Sequence, residues 1–431
     1  MTQSVSPSDR TPGADSIWWH VYPLGACGAP IHDGDRTQIP RLRMLINWLD
    51  YAAELGTTGL LLGPIFDSAT HGYDTLDYLC IDPRLGSVED FDALVEACHA
   101  HGMNIMLDGV FSHVSDQYQP LRAVLEAGKD PVSGTPNSPD APLFHIDWES
   151  DGGPYPWFFE GNPDLVRFDH TNARVKDFVQ QVMEYWCARG IDGWRLDAAY
   201  SVPTEFWADV CDRVRASYPD TFFLGEVIHG DYPAFVEDAH VDTVTQYELW
   251  KAMWSSITDK NFFELDWTLK RHCEFSETIV AQTFVGNHDT TRISSLLGAD
   301  GGLVAQAIIM TLGGTPSIYY GDEQGFTGVK EDRQFGDDAV RPPLPASPGE
   351  LLGFGHATYE ALRSLVWLRR KRPWLTRALT TTIAVANTSY SYRSCAPGDD
   401  STFVDVQLSI DEAGTAHALI LDEAGHTLWQ K

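Results

Sequence analysis

Basic side chains are scarce in this sequence: 30 Lys and Arg stand against 61 Asp and Glu in 431 residues, a formal net charge of −31. Such a surface repels phosphate backbones and anionic lipid heads, which argues against nucleic acid and membrane partners and for a neutral substrate. Cysteine is sparse too. The seven present (Cys27, Cys80, Cys98, Cys187, Cys211, Cys273 and Cys395) are odd in number, scattered and free of C-x-x-C spacing. Neither a disulfide frame nor a zinc site is expected of them, and they read as reduced, mostly packed thiols. No basic segment followed by an apolar run opens the chain, and no stretch approaches the length of a membrane span, so a cytoplasmic protein is expected. A Gly-rich phosphate turn after an early strand, internal repeats and low-complexity tracts are also missing.

Apolar and aromatic side chains are plentiful, 43% and 12% of residues, enough to bury a large core. Residues 1–15 read as a flexible leader. SIWWHVYP at 16–23 is a strand rich in aromatic and β-branched residues, 41–56 shows helical spacing, and TTGLLLGPIF at 57–66 is a continuous apolar run typical of strands buried on both faces. The alternation continues through a helix at 88–102, a strand at 104–113 and a helix at 173–189. Strands then follow at 193–199, 222–227, 242–249, 279–287 and 316–320, with helices at 204–217, 232–239, 248–257, 301–312 and 356–371. Eight strands and about eight helices predict an α/β fold, a (β/α)8 TIM barrel over 16–113 and 166–375. Residues 114–165, rich in Pro, Gly, Asp and Ser, make too long an excursion for a loop and read as an inserted domain after the third strand. Alternating Thr, Val, Tyr and Ser segments make 376–431 a small antiparallel β domain packed on the barrel.

Polar groups gather where these strands end. In GIDGWRLDAAY (190–200), Trp194 and Leu196 alternate with Arg195 and Asp197, so a guanidinium and a carboxylate leave the strand on one side. Asp108 and His113 end the third strand, Glu226 the fifth, and Asn287, His288 and Asp289 the seventh. Singly, each has an ordinary structural explanation, an ion pair for Arg195 and Asp197 or a loop cap for Asp108. Together they converge on the barrel face where loops build active sites. Carboxylates on neighbouring strands suit glycosidic cleavage, in which one protonates the leaving oxygen and, in a retaining enzyme, a second about 5 Å away attacks the anomeric carbon. The third carboxylate and the imidazoles can grip ring hydroxyls and developing positive charge, with Arg195 holding Asp197 ionised and oriented. Tyr73, Trp148, Trp157 and Phe158 offer apolar platforms for sugar faces.

LDGVFSH (107–113), GWRLDAA (193–199), LGEV (224–227) and VGNHDTTR (285–292) resemble, in order and spacing, the four signature regions of the α-amylase family of glycoside hydrolases, family 13. HGYDTLDY (71–78) and GTPSIYYGDEQG (314–325) resemble two further stretches, and the likeness covers residues 16–375. It implies the same barrel, insert and C-terminal β domain. It also implies Asp197 as nucleophile, Glu226 as general acid/base and Asp289 as the transition-state-stabilising acid. Tyr73, His113, Arg195 and His288 would line the first sugar subsite, with Asp108 a structural acid near it. GWRLDAA and HGYDTLDY are closest in style to the cyclomaltodextrinase, neopullulanase and maltogenic branch, although the first strand starts near residue 17 without that branch's large N-terminal module.

Two departures bear on metal. Family members with calcium at the insert–barrel junction usually have Asn before the first-region His, where this chain has Ser112, a shorter and poorer oxygen donor. Tyr200–Ser201 replace the Lys–His pair of many α-amylases. That departure weighs less for calcium, because the family's His offers its backbone carbonyl and Ser201 could supply the same group, so the expectation rests chiefly on Ser112. No calcium is expected at that junction, and no cofactor elsewhere. The resemblance implies retaining hydrolysis of α-glucosidic bonds in maltooligosaccharides or related α-glucans through a covalent glycosyl-enzyme. An α-glucan transglycosylase or a disaccharide phosphorylase on the same site is the alternative, while the presence of all three acids disfavours a catalytically dead binding protein. The expected partner is a small oligosaccharide, and a monomer is the default. Arg341, in the loop at 326–345 after strand eight, lies near the site by position alone.

Overall fold

The computed structural model of the protein describes residues 13–32 and 34–431. Its central sheet has eight parallel strands, Trp18–Val21, Gly59–Leu62, Asn104–Gly109, Gly193–Leu196, Phe222–Gly225, Thr243–Val244, Gln282–Phe284 and Thr315–Tyr319. Each neighbours its sequence neighbour, and the first also pairs with the eighth. A parallel bridge between Thr245 and Gln282 joins the remaining edges, and the Gln246 N–H donates to the Gln282 carbonyl at 2.9 Å, so the sheet closes into a barrel. All eight expected strands are present; the first seven are shorter than the runs that announced them, and the eighth, Thr315–Tyr319, is shifted by one residue.

Alternation along these strands divides the interior. Trp19, Val21, Ile105, Leu107, Trp194, Leu196 and Phe223 pack outward into the core shared with the helices. Trp18, Leu61, Met106, Phe222 and Leu224 form a separate apolar cluster. Next along the same inward rows come His20, Asp108 and Arg195, all buried. The apolar cluster plugs one end of the barrel and lifts the charged layer to the C-terminal ends of the strands.

The helices follow the expected rhythm with three differences. Arg41–Trp48 is 3-10 helix before α-helix begins at Leu49. A second helix, Phe262–Ser276, follows Tyr247–Thr258 between the sixth and seventh strands. Ile293–Thr311 starts earlier than expected and is kinked at Gly298. That helix has the length and apolar character of a membrane span, contrary to the expectation that no stretch approaches one. Most of it is buried, packed among the barrel, the last helix and the C-terminal sheet.

The insert opens with His113–Ser115, which pairs antiparallel with Asn162–Arg167 and so ties the excursion back to the end of the third strand. At the other end of the chain, five strands from Leu379–Val385 to Thr427–Gln430 form an antiparallel meander. Its Tyr390, Tyr392, Val404 and Val406 pack against the Ile293–Thr311 and Phe262–Ser276 helices. Of the leader, residues 1–12 lie outside the described residues, and Gly13–Asp15 form a 3-10 turn whose Ala14 carbonyl accepts from Thr315. All seven cysteines are free thiols, four of them buried.

Candidate active site

The register between the third and fourth strands sets Arg195 directly beside Asp108. Arg195 Nη1 donates to Asp108 Oδ1 and Oδ2 at 2.7 and 2.6 Å and reaches Asp197 Oδ1 at 3.3 Å. Its Nη2 lies 2.7 Å from Glu226 Oε1. Arg195 contacts Asp197, and its shorter contacts go to Asp108 and Glu226, because it shares a register row with the first and its second nitrogen points to the next strand.

Asp197 and Glu226 each stand one residue past the end of their strand. Ala198 follows Asp197 in a left-handed conformation, φ 45° and ψ 40°. A side-chain-bearing residue pays about 1–3 kcal/mol for this. The turn aims its N–H at Glu226 Oε2, 2.9 Å away. Tyr247, just beyond the sixth strand, donates its hydroxyl to Glu226 Oε1 at 3.1 Å and accepts from Asn287 Nδ2 at 2.8 Å. Glu226 is thereby fixed from three directions.

One guanidinium faces three buried carboxylates. Burial, against the opposing pull of Arg195, raises the Asp108 carboxyl. Burial and then the neighbouring Glu226 charge push the Asp197 carboxyl well above the usual carboxylate range. The cluster as a whole therefore retains a proton to higher pH than an isolated acid would. Asp289 behaves oppositely. Burial works to raise it, but the His288 ring and the Arg341 guanidinium outweigh that and hold its carboxyl well below the ordinary range.

His288 sits between stacked rings, Tyr73 at 5.4 Å and Tyr22 at 5.9 Å. Its Nε2 contacts the Tyr73 hydroxyl and lies 2.9 Å from Asp289 Oδ2, while Nδ1 is 3.3 Å from Nε2 of His20. Tyr73 in turn donates to Asp108 Oδ2 at 3.0 Å, closing a ring of contacts from the second-strand loop to the seventh strand. Burial lowers His113 to about 4, so its ring is neutral at pH 7. Nε2 must donate to the Tyr73 carbonyl at 2.9 Å, which leaves Nδ1 to accept from the Ser112 hydroxyl at 2.7 Å.

The structure thus brings Asp108, Arg195, Asp197, Glu226, Tyr73, His288 and Asp289 into one network, with His113 joined through the Tyr73 backbone. Of the four aromatic platforms, Tyr73 lies in the site. Trp157 is exposed on the insert against His145, and Trp148 lines a separate small cavity beside Phe144. Phe158 meets the edge of Tyr155 at 5.3 Å, and its neighbour Phe159 stacks on His113, 4.4 Å between centroids. Tyr247 and His20 were missed, although both are polar groups near the C-terminal end of a barrel strand and the same rule would have found them. Arg341, placed by position alone, donates to Asp289 Oδ1 at 3.0 Å and to the His288 carbonyl at 2.9 Å.

The insert–barrel junction does not fit a calcium ion. The Ser112 hydroxyl is directed to His113, and the Ser201 carbonyl accepts from Arg167 Nη2 at 3.1 Å. The Arg167 guanidinium, at the end of the Asn162–Arg167 strand, stands at that carbonyl, where it would repel a second cation.

The chain resembles known proteins in sequence and in fold. The family described as "Alpha amylase, catalytic domain" matches residues 29–359. A maltogenic α-amylase of Bacillus acidopullulyticus is 32% identical over 84% of this chain and 63% of its own length. A cyclomaltodextrinase of Geobacillus thermopakistaniensis is 32% identical over 73% of this chain and 56% of its own. The chain thus spans about three-fifths of the length of the curated relatives it matches. Among solved structures, a cyclic α-maltosyl-(1→6)-maltose hydrolase of Arthrobacter globiformis, in complex with that cyclic sugar, superposes with a TM-score of 0.79 at 23% identity. The match covers 96% of this chain and 98% of that one.

Proposed function

Because the chain belongs to the α-amylase catalytic-domain family, we propose that it is a retaining α-glycoside hydrolase acting on maltooligosaccharides or cyclomaltodextrins. The observation that carries this reading is the placing of Asp197 and Glu226 on adjacent strand ends, both within reach of Arg195. Retaining cleavage needs two acids about 5 Å apart, one to attack and one to protonate the leaving oxygen.

In this reading Asp197, as the carboxylate, attacks the anomeric carbon while Glu226, as the acid, delivers a proton to the glycosidic oxygen. The glycosyl unit becomes bonded to Asp197 and the aglycone leaves with the proton. Glu226, now ionised, takes a proton from water, whose oxygen attacks the same carbon and releases the sugar as its α-anomer. Asp289, held ionised by His288 and Arg341, faces the positive charge that develops on the ring in both steps. The names of the relatives, maltogenic α-amylase and cyclomaltodextrinase, support short α-1,4-linked glucans as the substrate class. The acidic surface supports a neutral one.

A proton NMR time course with maltotetraose, recorded before mutarotation, with and without phosphate, tests the proposal. New α-anomeric reducing ends without phosphate are expected. Initial β-anomers would overturn retention, products longer than the substrate would identify a transglycosylase, and sugar phosphate a phosphorylase.

A further inference from the structure

A groove of about 610 Å³ leaves the catalytic centre at Asp289 and runs between the Tyr247–Thr258 helix and the loop after the eighth strand. Trp250 and Trp254 line one wall, Thr291 the end near Asp289, and Asp332 and Arg333 the outer lip. Of the residues assigned to the reaction, Asp289 lines this groove. It is also the most open of the three acids, its side chain 34% exposed against 11% for Asp197 and 8% for Glu226.

The two indoles stand one helical turn apart and so share a face. They are braced from behind. Trp250 stacks on Phe284 of the seventh strand at 6.5 Å and meets the edge of Tyr247 at 5.9 Å, with Trp254 at 6.0 Å from Trp250. Rigid, pre-placed indoles provide apolar area without an ordering cost on binding. The lip offers the opposite chemistry, a carboxylate and a guanidinium that can accept from and donate to neighbouring hydroxyls. A cavity of this size lies within the ~300–1,000 Å³ of small-molecule sites and holds about two or three pyranose rings. A chain of net charge −31 disfavours an anionic occupant. Apolar ring faces edged with hydroxyls match the whole set, and such rings already arrive at Asp289.

We propose that this groove is an additional α-glucan subsite, holding glucosyl units beyond the one undergoing cleavage, across the barrel from the inserted domain. The inference rests on the α-glucan reading of the catalytic centre. It makes Trp250 and Trp254 determinants of chain-length preference, because a short substrate cannot fill the groove and a longer one gains the indole contacts.

The test compares kcat/KM for maltotriose and maltohexaose in the wild-type protein, in Trp254→Ala and in Thr291→Trp. The second variant plugs the groove while leaving both indoles in place, so the test survives if Trp254→Ala fails to fold. A preference for maltohexaose is expected in the wild type, reduced about three- to tenfold in each variant, the scale of an aromatic contact. Hydrolysis of both sugars with the wild-type ratio preserved in the variants would overturn the groove assignment. Calorimetric titration of maltohexaose into Glu226→Gln, with and without Thr291→Trp, separates this from the catalytic reading. A Kd weakened by the plug supports the groove even if no hydrolysis is found, whereas an unchanged Kd overturns it.

Discussion

Arg341 reaches back across 52 positions of the chain to place Nη2 3.0 Å from Asp289 Oδ1. The same guanidinium lies 3.1 Å from Asp337 Oδ2 and 4.6 Å from the centre of the Tyr22 ring. The loop after the eighth strand is thereby fastened to the acid that follows the seventh, and the electrostatic state of Asp289 depends on a residue outside every recognisable motif.

Replacing Arg341 with Ala removes one of the groups that lower the Asp289 carboxyl, so that carboxyl rises. The acid limb of the kcat/KM profile is expected to move to higher pH, with a loss of about tenfold at the optimum. The sign for stability follows from the same depression. A carboxylate lowered in the fold stabilises it above the unfolded value of about 3.9 and loses that contribution as pH falls through the folded value. The Arg341→Ala variant is therefore less stable than wild type at pH 7, and the difference narrows as the pH drops below about 4. An acid limb unmoved in the variant would show that Arg341 does not act through Asp289.

How much of this was legible in the sequence depended on distance along the chain. Arg195 and Asp108 were readable because each ends an apolar strand, and the parallel register then sets them side by side. Arg341 sits in an irregular loop with no periodicity, so its partner could be found only from the fold. The Phe262–Ser276 helix carries buried Phe262, Leu265, Leu269 and Phe275 at helical spacing. One helix per strand nevertheless satisfied the barrel without it. The stacking of Phe159 on His113 went unread for the same reason. In a strand one residue decides the face, and a two-residue strand has no pattern from which to read it.

Asp197→Asn keeps size and most contacts but removes the attacking charge. Turnover is expected to fall by several orders of magnitude with the melting curve retained. Near-wild-type turnover in this variant would take the nucleophile role away from Asp197.

Arg292 and Asp322 form a salt bridge at 2.9 Å with both side chains fully buried. Removing the acid alone, in Asp322→Ala, strands a guanidinium whose other partners are the Tyr320 and Val340 carbonyls. A loss of about 3–5 kcal/mol in denaturant unfolding is expected. Because Val340 precedes Arg341, activity should decline even where the variant remains folded. A loss below about 1 kcal/mol would mean that the pocket admits water or a substitute anion.

Chelation should leave both melting temperature and activity unchanged. The oxygens at the insert–barrel junction already have protein partners, Ser112 with His113 and the Ser201 carbonyl with Arg167. A drop in melting temperature with EDTA, restored by calcium, would contradict this.

Tyr247 connects the sixth strand to the reaction through a single hydroxyl. It donates to Glu226 Oε1 at 3.1 Å and accepts from Asn287 at 2.8 Å. Tyr247→Phe keeps the ring and its packing on Phe284 but leaves Oε1 to Arg195 alone and Asn287 Nδ2 without this acceptor. A net hydrogen bond of about 1 kcal/mol corresponds to a loss of roughly five- to tenfold in kcat, with KM little changed because the hydroxyl acts through Glu226. The variant separates two roles. If Tyr247 only supports the fold, kcat per folded molecule stays at the wild-type value while the melting temperature falls. If it positions the proton donor, kcat per folded molecule falls.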